Sequence, residues 1–106
     1  MNILLDQGAP VPLRHWLSSH LVSTAYDQGW SRVTNRELFL LAVQLGYRLL
    51  ITTDINLRYQ QNLQPHSLAI LVLSTTSWPR IQAAAEQMAA VVTGIRPGEY
   101  CELRIP

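Results

Sequence analysis

The pattern of hydrophobic and polar positions divides the chain into short apolar runs and longer stretches with helical spacing. Strands are predicted at 2–5, 21–26, 48–53, 69–74 and 99–105. The runs 48–53 and 69–74 are apolar nearly throughout, which is typical of parallel strands that are covered on both faces. In the last run apolar and polar residues alternate, as in an edge strand with one exposed face.

Helices are predicted between these strands. The first follows Pro10 and Pro12, and the second runs from the capping box Thr34–Glu37 to Gly46, a residue suited to end a helix. Two more are expected at 55–63 and at 79–93.

The alternation of strands and helices predicts an α/β fold, a three-layer domain with a mainly parallel sheet. We expect strand order 2-1-3-4, with the last strand antiparallel at the edge beside the fourth. Ligands bind such sheets outside the carboxyl ends of the strands, where the strand order reverses.

Length and composition limit the class of protein. The chain has 106 residues, of which 48% are hydrophobic, and a net charge of +1, so we expect one domain over 1–106. The sequence has no apolar run of about 20 residues and no signal-peptide pattern at its start, so we expect a cytoplasmic protein that does not enter a membrane. Cys101 is the only cysteine, which excludes an internal disulfide and a cysteine-rich zinc site.

All eight basic residues are arginines. Arginine binds phosphate through two parallel hydrogen bonds and stacks on bases, so this bias is compatible with RNA contact, although a GC-rich genome would produce it as well. Five of the arginines are expected on segments near the carboxyl ends of the strands, where they would suit an RNA backbone: Arg14, Arg32, Arg36, Arg58 and Arg80.

Two strands end in an aspartate, Asp6 after 2–5 and Asp54 after 48–53. If these strands are neighbours, their ends lie roughly 5 Å apart. Two carboxylates that close repel each other unless a cation lies between them or one is protonated. Oxygen ligands favour Mg²⁺ or Mn²⁺. Each aspartate also has a structural interpretation, Asp54 as a helix N-cap and Asp6 as part of the turn before Pro10.

Three motifs resemble the PIN-like nuclease superfamily, and in particular its small bacterial branch related to VapC-type toxins. They are the strand–Asp–x₃–Pro pattern from Asp6 to Pro10, the helix start Thr34–Leu38, and the strand ending Thr-x-Asp-x-Asn from Thr52 to Asn56. The resemblance covers residues 1–75. It implies an acidic cluster that binds Mg²⁺ or Mn²⁺ and cleaves RNA through a metal-activated water.

Matched by position, the resemblance assigns Asp6, Asp54 and Glu37 as metal ligands and catalytic residues. Asn35, Asn56 and Thr52 are then expected to position water or phosphate around the ion. Arg14, Arg36 and Arg58 are expected to bind the RNA. Glu37 has a competing role, because the fourth residue of a capping box turns its carboxylate back toward Thr34.

The chain departs from the family pattern where Gln7, Asn35 and Asn56 replace acids, and each lost carboxylate weakens attraction for a divalent ion. The resemblance nevertheless implies a metal-dependent endoribonuclease, the toxin of a toxin–antitoxin pair. Its alternative is a weakened or inactive PIN-like domain that binds RNA or a protein partner, and a structural subunit of a larger assembly is a third interpretation. Apolar residues nearly all round 79–93 also predict a homodimer through the last helix.

Overall fold

The computed structural model describes residues 1–54 and 67–106. The described strands are β1 Asn2–Leu5, β2 Leu21–Thr24, β3 Leu49–Thr52, β4 Ala69–Leu73 and β5 Tyr100–Leu103. The described helices are the 3-10 helix Val11–Leu17, α1 Asn35–Gln44, α2 Trp78–Ala83 and α3 Ala85–Gly94. The helix predicted for 55–63, together with Asn56 and Arg58, lies outside the described residues.

The described strands form one parallel sheet in the order β2-β1-β3-β4-β5. The predicted order of the first four strands is confirmed. The antiparallel direction predicted for the last strand is wrong, since β5 runs parallel to β4 from the pair Ile70–Tyr100 to the pair Leu73–Leu103.

The length of α3 explains the direction of β5. This helix has ten residues and is about 15 Å long, close to the ~16 Å of the five-residue strand β4. It therefore carries the chain back to the edge at which β4 begins, and β5 starts there. We call this edge of the sheet the amino edge, and the edge at which the strands end the carboxyl edge.

Both faces of the sheet are covered by helices, so the fold is an α/β domain of three layers. Ile3 and Leu5 of β1 belong to one hydrophobic cluster, and Leu4 between them belongs to the other. The first cluster contains residues of the 3-10 helix, α2 and α3: Leu13, Leu17, Ile81, Met88 and Val92. The second contains residues of α1: Leu38, Phe39 and Ala42. Successive residues of a strand thus pack into opposite clusters, as the twofold period of β structure requires.

Both ends of α1 follow from local sequence. At its start, the Thr34 hydroxyl accepts a hydrogen bond from the Glu37 amide at 3.1 Å. At its end Gly46 has φ +80°, and the amides of Gly46 and Tyr47 donate to the carbonyls of Val43 and Ala42. These two bonds form a Schellman motif, which glycine favours because it lacks a Cβ. The capping box and the role predicted for Gly46 are confirmed.

The single helix predicted at 79–93 is instead two helices, α2 and α3, separated at Ala84 with φ −107° and ψ 14°. Neither proline nor glycine stands at this break, so the local sequence does not predict it. The side chain of Val91, one of the apolar residues within 79–93, packs against the first hydrophobic cluster. Within 1–54 and 67–106, no helix is long and apolar enough to cross a membrane.

Candidate functional site at the carboxyl edge

Asp6 is fixed at the carboxyl edge by its own backbone and by a buried hydroxyl from the neighbouring strand. Its amide continues the β1–β3 ladder by donating to the carbonyl of Ile51 at 2.9 Å. Its Oδ2 accepts from the hydroxyl of Thr52 at 2.8 Å, and its Oδ1 accepts from the amide of Gln7 at 2.7 Å. Thr52 has no exposed surface. The orientation of the Asp6 carboxylate is therefore set by groups that have little freedom to move.

Asp54 is joined to the same hydroxyl. The Asp54 amide donates to Thr52 Oγ1 at 3.1 Å, and Asp54 Oδ2 accepts a hydrogen bond from the side-chain amide of Asn35. Thr52 thus uses its hydroxyl as a donor toward Asp6 and as an acceptor from Asp54, which a single hydroxyl can do. A chain of polar contacts runs from β1 through β3 to the first residue of α1.

The strand order reverses at this place. From the adjacent pair β1 and β3, the sheet continues to β2 on one side and to β4 on the other. For the order 2-1-3-4-5, ligands bind outside the carboxyl ends of β1 and β3. The predicted adjacency of the strands that carry Asp6 and Asp54 is confirmed, and the carboxylates lie where the fold favours a ligand.

The turn after β1 passes close to β3. A Cβ added at Gly8 would clash with the hydroxyl of Thr53. A larger residue would therefore push the turn that follows Asp6 away from the strand end. The sequence pattern does not indicate this requirement, although Gly8 lies inside the Asp6–Pro10 motif.

A cavity of about 400 Å³ lies farther along the same edge, at the ends of β3, β4 and β5. Residues after β3 and β4 line it together with Glu102 and Arg104. Sequence reasoning assigned these two residues only to an exposed strand face. An antiparallel β5 would have taken them to the amino edge, so their presence here follows from the direction of β5.

Glu37 is exposed and takes part in the capping box. Its Oε1 accepts a hydrogen bond from the Thr34 hydroxyl at 3.2 Å, and it is not part of the Asp6–Thr52–Asp54–Asn35 chain. Within the part of the chain that the structure describes, no three His, Cys, Asp or Glu residues come together as a potential metal cluster. The site therefore consists of two carboxylates, Asp6 and Asp54, with one amide and one hydroxyl beside them.

The arginines expected to bind RNA have different surroundings. Arg14 forms a salt bridge with Asp27 at 3.2 Å and donates to the carbonyl of Val22 at 3.4 Å. Arg36 is exposed in the first turn of α1, next to Asn35 of the site. Arg80 donates to the backbone carbonyls of 105 and 106. Of these arginines, Arg36 lies closest in sequence to the polar chain and is exposed for an RNA phosphate.

Comparison of the chain with protein-family models, curated proteins and solved structures gave no match. The PIN-like resemblance therefore rests on the sequence motifs, and the nuclease activity that it implies stays a prediction. The structure contributes the parallel sheet and the convergence of the strand-end aspartates on one buried threonine.

Proposed function

We propose that this protein is a divalent-metal-dependent endoribonuclease of the PIN-like type. The observation that carries the proposal is the link from Asp6 through the buried Thr52 hydroxyl to Asp54. It holds two acidic residues at the point of the sheet where a ligand is expected. Two carboxylates at one strand edge favour a bound cation when they lie close together, because the cation offsets their mutual repulsion.

The donor set fits Mg²⁺ or Mn²⁺. Magnesium is commonly held by one or two carboxylates and completes its octahedral shell with water and substrate phosphate oxygens. Each carboxylate oxygen has two lone pairs, so the two hydrogen bonds that Asp6 accepts leave acceptor capacity for an ion. Asp6 and Asp54 would hold the ion, and the carbonyl oxygen of Asn35 is a neutral oxygen donor beside them.

A bound ion would lower the pKa of the attacking water and stabilise charge on the phosphoryl oxygens. The protein's own residues have positioning roles. Thr52 orients Asp6, and Asn35 orients Asp54. Arg36 contributes positive charge beside the site, and the cavity of about 400 Å³ at the same edge gives room for part of an RNA strand.

The test is cleavage of a single-stranded RNA in Mn²⁺ or Mg²⁺ by the wild-type protein and by Asp6→Asn and Asp54→Asn. We expect each variant to be slower by about a hundredfold or more, because a carboxylate ligand is lost. Glu86→Gln is the matched control, since it removes an exposed carboxylate outside the polar chain. Equal rates for wild type, Asp6→Asn and Asp54→Asn would remove the proposal.

The proposal includes a protein partner, an antitoxin that blocks the carboxyl edge. Expression of the wild type alone should then arrest bacterial growth, whereas Asp6→Asn should not. A small protein encoded beside this gene should restore growth and bind the purified chain. If the protein cleaves RNA in vitro but its expression leaves bacterial growth normal, it is a nuclease and not a toxin.

One observation favours the alternative, a PIN-like domain that binds RNA or a protein without cleaving it. Asp6 and Asp54 already accept hydrogen bonds from the protein, and Glu37 accepts one from Thr34 instead of joining them. Calorimetric titration with Mn²⁺ separates the two functions. Binding that Asp6→Asn abolishes supports the enzyme, and no binding at millimolar Mn²⁺ supports the binding module.

The proposed homodimer uses the exposed surface of α2 and α3. Ala83 and Ala90 are exposed there and are small enough for a second copy to approach closely. The packing of Val91 on the chain's own core reduces the apolar surface that a partner would cover. Sedimentation equilibrium measures the outcome. A mass that stays near 12.0 kDa at high protein concentration contradicts the dimer, and a dimer should be weakened by Ala90→Glu.

A further inference from the structure

A second cavity, of about 410 Å³, lies at the amino edge of the sheet, opposite the carboxylate site. Its lining comes from the starts of strands and from the turns that precede them. The polar part of the lining contains Arg48, Arg96, Asn2 and Ser67, and the apolar part includes Ile95 and Pro97. Its volume lies within the ~300–1,000 Å³ that is usual for small-molecule sites.

The charge of this cavity is positive. Arg48 precedes β3 and Arg96 precedes β5, so two separate segments each contribute an arginine to the lining of one cleft. No acidic residue is among the described residues that line it. The described part of the chain contains one salt bridge, Arg14–Asp27, so neither cavity arginine is neutralised by a described carboxylate. The range 55–66 has no Asp or Glu in its sequence and adds no such partner.

The nearest acid along the chain to Arg96 is Glu99. Its Oε1 accepts a hydrogen bond from the Arg96 backbone amide at 2.8 Å, which closes the turn before β5. Its carboxylate is not within salt-bridge distance of the Arg96 guanidinium. Both guanidinium groups therefore keep their hydrogen-bond donors for a ligand.

We propose that this cavity binds a small phosphate monoester with a planar or apolar body, the class to which nucleoside monophosphates belong. Two arginines on opposite segments match a doubly charged phosphate, which each can bind through paired N–H donors. The cavity is much larger than a phosphate ion, so the ligand must have a body as well. Ile95 and Pro97 offer apolar contact to that body, and Asn2 and Ser67 offer hydrogen bonds.

This site does not depend on the proposed nuclease activity. It is on the other edge of the sheet and shares no residue with the Asp6–Thr52–Asp54–Asn35 chain. Substitution of its arginines should leave metal-dependent RNA cleavage unchanged, and Asp6→Asn should leave binding in the cavity unchanged. Failure of one proposal is therefore distinguishable from failure of the other.

The experiment is titration of the full chain with AMP, adenosine or inorganic phosphate. Binding is measured by calorimetry and by NMR of the backbone amides. AMP should bind more tightly than either of the other two, because each lacks half of the ligand. The chemical shifts that change should be those of Ser67 and Ala69, which line the cavity. The variant Arg48→Gln/Arg96→Gln should bind AMP roughly tenfold more weakly, as expected when two exposed charge contacts are lost.

Arg32→Gln is the matched control, since it removes one exposed arginine outside the cavity. Its affinity for AMP should equal that of the wild type, and Arg48→Gln alone should already be weaker. Equal losses in Arg32→Gln and Arg48→Gln would mean that AMP responds only to net charge, which overturns the proposal. Binding of adenosine as tight as that of AMP, or shifts at Thr53 and Asp54 instead of Ser67 and Ala69, overturns it as well.

Discussion

Replacement of Thr52 by valine is the most direct probe of the carboxylate site. Valine keeps the volume and the branched Cβ of threonine, so no cavity forms and strand propensity is retained. The substitution removes one hydroxyl, and with it the 2.8 Å bond to Asp6 Oδ2 and the 3.1 Å bond from the Asp54 amide. Thr52 has no exposed surface, so water does not reach the vacated position from its side.

The expected loss of stability follows from these two bonds. A hydrogen bond to a charged acceptor contributes about 1.5–3 kcal/mol and a neutral one about 1 kcal/mol. Two effects reduce this loss of stability. The extra buried methyl group of valine contributes about 1 kcal/mol, and water can solvate the partly exposed carboxylate of Asp6. We therefore expect the free energy of unfolding to fall by about 2 kcal/mol.

The assay is urea unfolding followed by circular dichroism, with Thr53→Val as the matched control. Thr53 is adjacent and half-buried, but its hydroxyl forms no side-chain hydrogen bond among the described residues. The slope of free energy against urea should be unchanged in both variants, so the midpoints can be compared directly. Losses in Thr52→Val and Thr53→Val that agree within about 0.5 kcal/mol would contradict the role assigned to the Thr52 hydroxyl.

A double-mutant cycle tests whether the lost energy belongs to the contact with Asp6. If the Thr52 hydroxyl stabilises the fold partly through the Asp6 carboxylate, Thr52→Val and Asp6→Asn should be non-additive by about 1 kcal/mol. Additive losses would show that the hydroxyl acts through the Asp54 amide alone. In either case the Mn²⁺ affinity of Thr52→Val should fall by roughly tenfold, because a group that orients a ligand is removed.

Three further outcomes are expected. Gly46→Ala should lower the free energy of unfolding by about 1 kcal/mol, because Gly46 has φ +80°, whereas Gly94→Ala, at the helical end of α3, should not lower it. Asn35→Ala should lower the free energy of unfolding by about 1 kcal/mol, because the hydrogen bond to Asp54 is lost. It should also weaken Mn²⁺ binding without altering AMP binding. Burial, with a smaller effect from the neighbouring glutamates, raises the pKa of the Cys101 thiol. Thiol reagents should accordingly react with native Cys101 more slowly than with free cysteine at pH 8–9, and faster reaction would contradict the assigned environment.

The same shift predicts how stability depends on pH. Because the folded-state pKa of Cys101 lies above the unfolded value, the folded state retains the thiol proton at a pH where the unfolded state loses it. The contribution of Cys101 to stability is fully present below the unfolded pKa and decreases as pH rises through the folded pKa. Cys101→Ser should abolish this component of the alkaline loss in urea unfolding.

Elements whose causes are local follow from the amino-acid sequence. The capping box at Thr34 and the glycine at position 46 set the ends of α1, since both act through hydrogen bonds within a few residues. The continuous apolar runs that become β3 and β4 predicted parallel strands buried on both faces, and both strands are fully buried. The place of the candidate site was also predictable, because two strands that end in aspartate bring their carboxylates to one edge whenever they are neighbours.

Only the folded structure shows the direction of β5, the break at Ala84 and the groups that surround the carboxylates. The alternation of apolar and polar residues in β5 is the same whether the strand is parallel or antiparallel to β4, because a twofold side-chain period carries no direction. Only the return of α3 along the sheet fixed it, and Glu102 and Arg104 reached the carboxyl edge as a consequence. Thr52 could be named as a polar residue near that edge, but its bond to Asp6 joins residues 46 positions apart and exists only once β1 and β3 pair. The cationic cleft has the same origin: Arg48 and Arg96 are far apart in sequence, and the parallel sheet brings the segments before β3 and β5 to one edge.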